Sequence, residues 1–381
     1  MLSKKINSHK KQLLVKTQNN FIFSFLGILF VLLYAMFFPA YESPDEFTHI
    51  NRILNESNLW GQILNYVSSF FLDFRSLNVL DEVIVNDDFS FFNNDFLFES
   101  SFVPIEYYFL RIINASLLLT FFFLFVFIFK GNKLSIFWPS STYYMSLLSS
   151  DGIAIALMLG SSSNTKIRII LLICLSSILF FIDRSILVFI SFLLIKFIAL
   201  TISNGNFKAF KKISIFIFFV SLLIYTVSII DFNLFLGYDL FYFGEIERVM
   251  TYSQNLLPNH LNQLIVFIAS FLILSGSMSF YPTIIYYLFS YYLIFNSLKF
   301  INKIKLKHDD TNEIFGTIFI GISVFLLVSS VAPQLSHFRY YLFIAPVFVN
   351  IFLYRYPPKY LVLLSLIPLI YNTFVLNLFL I

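Results

Sequence analysis

The chain has 381 residues, of which 59% are hydrophobic, 20% aromatic and only 12% charged. Soluble domains carry about a quarter charged residues, so this composition excludes a soluble globular protein and makes the bilayer the solvent. Eleven Gly and eleven Pro exclude collagenous and low-complexity classes, the single Cys174 excludes a disulfide framework, and the net charge of +4 is divided unevenly along the chain.

Lys4, Lys5, Lys10, Lys11 and Lys16 precede the first apolar span, so residues 1–20 read as a basic cytoplasmic N-terminus. Residues 21–378 then read as one all-α, polytopic transmembrane bundle. Its spans are Phe21–Phe38, Ile105–Phe129, Leu134–Leu148, Ile153–Ser161, Ile167–Ile182, Ser185–Ile202, Ile213–Ile230, Leu261–Gly276, Phe280–Leu298, Ile314–Val331, Tyr340–Tyr354 and Tyr360–Leu378. Several are short enough to be paired half-helices. Phe21–Phe38 has no cleavage site after it and reads as a retained helix.

Lys130 with Lys133, Lys166 with Arg168, Lys208 to Lys212, Lys299 to Lys307, and Arg355 with Lys359 mark further cytoplasmic loops. Parity fails at Leu261–Leu298 unless one of the two segments there is partial, which gives 11 or 12 spans. Residues 39–106 form the first outer loop, with twelve acids against Arg52 and Arg75 alone. A connection that long in a membrane protein is generally functional. Residues 231–260 form a second outer loop. With no internal repeat and no Gly-rich phosphate loop, a cytosolic nucleotide enzyme is excluded and no nucleic-acid partner is expected.

Four places carry candidate chemistry. Just outside the first span, Ser43, Pro44 and Glu46 compose a helix N-terminus with a capping box. Capping does not account for Asp45, His49 and Arg52, which share one helical face at i, i+4 and i+7, with Phe47, Ile50 and Leu54 on another. In Ser149-Ser150-Asp151-Gly152, Ser149 reads as a helix cap, and Asp151 at the outer edge of an apolar hairpin is costly unless solvated or used. In His337-Phe338-Arg339-Tyr340-Tyr341, Arg339 is either an interface anchor in a Tyr belt or a forked ligand for phosphate. Lys196 lies twelve residues into its span, where it either snorkels toward the cytoplasm or serves a site. Asp183 with Arg184 reads as a solvated turn pair, and Lys303–Glu313 as a solvated cytoplasmic loop.

In this order the signals resemble a family of bacterial polytopic membrane proteins grouped with the GT-C glycosyltransferases. Pro44, Asp45, Glu46 and His49 match its Pro-Asp-Glu-x-x-His pattern, Ser149 to Asp151 its Ser-x-Asp turn, and Lys196 its mid-chain Lys. Phe338-Arg339-Tyr340-Tyr341 followed by Pro346 matches its Gly-Arg-Tyr-Phe-like segment, with Phe338 where the family has Gly.

The resemblance implies a GT-C-like fold and a multi-pass protein of the bacterial cytoplasmic membrane. It implies transfer of a sugar from a polyprenyl-phosphate donor to a glycan or glycolipid acceptor on the outer face, amid membrane lipids. Asp45 would be the base, oriented by Glu46 or His49. Arg339, with Tyr340, His337, Lys196, Arg52 and Asp151 around the substrate, would neutralise the departing lipid phosphate. Members of the class differ on metal; a divalent cation, Mg or Mn, would be held by Asp45, Glu46 and His49. An O-antigen-type polymerase is the alternative, disfavoured by the acidic outer loop. A lipid-linked-sugar flippase ranks third, because Lys196 is the one strong midspan charge read from the sequence.

Overall fold

In the computed structural model the described residues are 20–37, 59–71, 105–148, 152–182, 186–230, 281–303, 308–331 and 338–370. Every regular element among them is a helix. In chain order these are α1 (Asn20–Phe37), α2 (Leu59–Ser69), α3 (Ile105–Phe129), a 3-10 segment (Lys133–Phe137), α4 (Pro139–Ser146), α5 (Gly152–Gly160) and α6 (Lys166–Leu179). Then come α7 (Ile186–Ile202), α8 (Phe207–Ile230), α9 (Tyr281–Lys303), α10 (His308–Val331), a second 3-10 segment (Phe338–Ile344), α11 (Ala345–Arg355) and α12 (Pro358–Ile370).

Three stretches, Glu106–Phe129, Phe207–Val227 and Asp310–Ser330, are long and apolar enough to cross a membrane. Among the described residues the chain is all-helical, and these stretches mark it as a membrane protein. Large apolar side chains stay exposed on the outer surface, among them Phe216, Phe219 and Leu223 of α8. Such a surface is stable only against lipid. The opposite side of α8 packs along α10. Gly316 permits that approach, since a Cβ there would run into the Phe210 ring.

Residues 133–148 and 152–160 form two short arms that pack against each other. At one end they meet: the Ser135 hydroxyl donates to the Leu159 carbonyl at 2.9 Å, and a Cβ on Gly131 would strike the Gly160 carbonyl. Pro139 opens α4 and Asn132 caps the preceding 3-10 segment by accepting from the Leu134 amide. At the other end they lie against the middle of α3. Asn114 Nδ2 donates to the Leu147 carbonyl at 2.9 Å, and a Cβ on Gly152 would meet Leu118. Asn114 and Leu118 are the tenth and fourteenth of 25 residues in α3. All nine residues of α5 are buried. The paired half-helices read from the sequence are thus present, while Asp151 itself lies outside the described residues.

Part of the predicted first outer loop is helix. α2 packs on α3 through Trp60, which is fully buried and donates to Asn114 Oδ1 at 3.1 Å.

α8 starts beside the N-terminal half of α10, where Lys211 lies over Phe315, and α9 ends beside Arg355, which lies over Phe300. α9 is a helix of 23 residues, and Leu288–Ile301 is its apolar stretch. Leu261–Gly276 lies outside the described residues. The loop expected over Lys303–Glu313 is corrected in its second half. α10 already begins at His308, because no Gly or Pro interrupts the polar run before the apolar one.

Candidate functional site

α10 serves as a ruler along the bundle. Near its start, Thr317 accepts from the Lys196 ammonium of α7 at 3.2 Å, and Glu313 pairs with it at 3.7 Å. One turn on, Gly321 faces Ile344 of the second 3-10 segment, and one further turn on, the Phe325 ring meets Tyr341 at 5.5 Å. The 3-10 segment therefore runs along α10 away from Lys196, with Arg339 beyond Tyr341. Thr317 and Phe325 are about 12 Å apart at 1.5 Å rise per residue.

Lys196 and Arg339 thus occupy different halves of the bundle. Lys196 is engaged by α10 and not by Arg339 in the described structure. Its ammonium also donates to the Ser163 hydroxyl at 2.9 Å, giving two hydroxyl acceptors beside the Glu313 ion pair. Its side chain is 2% exposed and that of Glu313 is 18% exposed. The ammonium is therefore buried and does not reach open water. The aliphatic stem does lean toward the lysine-rich end, but the charge ends on a carboxylate.

This cluster closes the inner wall of a cavity of about 710 Å³. Lys130, Lys133, Ser161 to Asn164, Asp310, Tyr354 and Pro358 also line it. These come from four of the stretches read as cytoplasmic loops, at 130–133, 161–168, 303–313 and 355–359. One end of the bundle gathers all four. The exposed rim includes Lys130, Asn164, Asp310 and Asn350.

Arg339 is set differently. It lies on the second 3-10 segment, which is interrupted at Tyr341 (φ −116°, ψ 17°) and packs among α4, α5, α7 and α10. Its guanidinium sits over the Tyr340 ring at 4.6 Å and donates to the Tyr340 hydroxyl. Phe343 stacks on Phe192 at 4.2 Å and fixes the segment between the halves of the bundle. Pro346 then starts α11. Arg339 with Tyr340 is the one pair of predicted site residues that the described structure brings together. Asp45, Glu46, His49, Arg52, Asp151 and His337 lie outside the described residues. Among those described, no group of three or more His, Cys, Asp and Glu gathers as a metal site.

Two buried charges escaped the sequence reading. Glu313 was assigned to a solvated loop; its signal was the need of a buried Lys196 for a counter-charge. Arg111 of α3 is fully buried, with its guanidinium 4.7 Å from the Tyr107 ring centre and 5.9 Å from that of Tyr108. Its signal was an Arg with Tyr at i−4 and i−3 at the start of an apolar helix.

The chain matches no family model, no curated protein and no solved structure.

Proposed function

We propose that the protein is an integral membrane glycosyltransferase of the GT-C type. It moves a sugar from a polyprenyl-phosphate donor to a cell-surface glycan or glycolipid on the outer face of the bacterial cytoplasmic membrane. In the displacement, the acceptor oxygen bonds to the anomeric carbon as the bond from that carbon to the phosphate oxygen breaks. Asp45 takes the acceptor proton, and polyprenyl phosphate leaves with the electron pair. Arg339 holds the phosphate, with Tyr340 fixing the plane of its fork.

The observation that carries this reading is Arg339 on interrupted backbone inside the bundle. Irregular backbone at membrane depth is tolerated where it serves a cavity or a ligand. The end opposite the lysine-rich loops suits a reaction on the outer face.

A second reading is a flippase for a lipid-linked sugar. The buried Lys196–Glu313 pair beside a cavity, and the two short arms, favour it, since carriers use intramembrane charges and broken helices.

One experiment separates the two. Purified protein in proteoliposomes is given a panel of polyprenyl-phosphate sugars and acceptor glycolipids. Release of polyprenyl phosphate with a glycosylated acceptor is expected. Movement of intact donor between leaflets without product would establish the flippase instead.

A further inference from the structure

The cavity at the lysine-rich end is not used by the proposed transfer. It lies on the far side of Phe343 from Arg339, and the argument for it does not depend on the transferase reading. Its size falls in the range of small-molecule sites, about 300–1,000 Å³. Its lining is unlike a lipid-facing groove and unlike a simple anion trap. Lys196 and Glu313 neutralise one another at the inner wall. The remaining charges are Lys130, Lys133 and Asp310, an excess of one cation. Around them stand neutral groups that both donate and accept, among them Ser162, Asn164 and Asn350.

These groups are pre-set. Asn132 Nδ2 donates to Asn350 Oδ1 at 2.7 Å, tying the loop after α3 to α11, and the Ser162 hydroxyl donates to Asn164 Oδ1 at 2.7 Å. The Ser161–Asn164 stretch has no regular structure, so its backbone groups are not consumed by a helix. Two lysines suit a phosphate, and a carboxylate among hydroxyls and amides suits the vicinal hydroxyls of a polyol. Leu134, Phe343 and Val347 supply apolar walls for C–H faces.

We infer that this cavity is a binding site for a phosphorylated polyol, either a free sugar phosphate or the phosphate-linked polyol headgroup of a lipid. In this site Lys196 is a positioning residue: it holds Ser163, Thr317 and Glu313 in place and leaves the phosphate to Lys130 and Lys133.

The test uses full-length protein in nanodiscs, with radiolabelled glucose 1-phosphate as the probe in equilibrium dialysis. Saturable binding is expected, displaced by unlabelled glucose 1-phosphate far better than by glucose or by inorganic phosphate. The double variant Lys130→Gln/Lys133→Gln should weaken binding at least about 10-fold, near 1.4 kcal/mol. Lys299→Gln, an exposed lysine away from the cavity, should leave it unchanged.

A second measurement keeps the result independent of how those variants fold. In an Asn164→Cys protein lacking Cys174, the probe should slow maleimide labelling of the cysteine. Nanodiscs containing phosphatidylinositol separate the sources. If they block the probe while phosphatidylglycerol does not, the headgroup of a lipid is the occupant; if neither blocks it, a free sugar phosphate is. Absence of saturable binding, equal displacement by inorganic phosphate, or binding and protection unaffected by loss of both lysines would each overturn the inference.

Discussion

At Lys196 the ammonium donates to the hydroxyls of Ser163 and Thr317 and is ion-paired with Glu313 at 3.7 Å, so its charge is compensated within the protein. Removing one member of such a pair strands the other. Lys196→Met should destabilise the protein by about 1–3 kcal/mol, because Glu313 is left half-buried without its cation. Lys196→Met/Glu313→Leu should recover most of that loss. Unfolding of the single and double variants in detergent micelles checks this; equal losses in both would mean that the pair is not coupled. Arg339 poses a different question. A lipid-interface anchor needs only length and charge, whereas a phosphate ligand held against Tyr340 needs the planar fork. Arg339→Lys should lower turnover or donor affinity at least about 10-fold, roughly 1.4 kcal/mol, with normal membrane insertion. A donor titration that superimposes on the parent would return Arg339 to an anchor. Asp45→Asn keeps the capping shape but cannot take a proton, so turnover should fall by about 10²–10⁴ in the same assay. Unchanged turnover would reduce Asp45 to a structural role.

Among the elements, the two arms at residues 133–148 and 152–160 show how side-chain size sets the packing. Two glycine backbones meet at one end, and no side chain fits between Gly131 and the Gly160 carbonyl. Gly131→Ala should cost about 1–3 kcal/mol through forced separation of the loop and α5. Gly205→Ala makes a useful contrast. Its φ is +77° but nothing lies within 4 Å of the added carbon, so it should cost only about 1–2 kcal/mol of backbone strain and leave the site intact. Thermal unfolding of both variants, together with the dialysis assay, separates the cases: Gly131→Ala should also impair the cavity, which Gly131 lines, and Gly205→Ala should not. Why the arms were half legible follows from their chemistry. Apolar runs of 8–15 residues bounded by Pro139, Asp151 and Gly152 mark short helices in any linear reading. That Leu147 meets Asn114, midway along α3, depends on a side chain 33 residues away.

For the molecule as a whole, lysine placement and structure meet on one point. The stretches at 130–133, 161–168, 303–313 and 355–359 contribute residues to one end of the bundle, as the alternation of basic loops requires. Cysteine accessibility should then be opposite at two sites. In a background lacking Cys174, Asn86→Cys should react with an impermeant reagent in intact spheroplasts, and Asn164→Cys should react only after lysis. The reverse pattern would invert the orientation and move the proposed transferase site to the cytoplasmic face. The linear order of residues was enough for the apolar solvent, the helical class, most helix positions among the described residues and the shared end of the basic loops. Each of these follows from composition and local periodicity, which a bilayer enforces through the cost of every unpaired backbone group. Pairings lay beyond it. Lys196 reaches Glu313 across 117 positions, and Glu313 sits in a polar run that looks solvated until α10 carries it against α7. Arg111 looks like an interfacial cation until neighbouring elements bury it completely. A charge at the end of an apolar run has the same local sequence whether it meets water or a partner. What decides between them is which helix packs on it, and that contact is set by side chains far away in the chain.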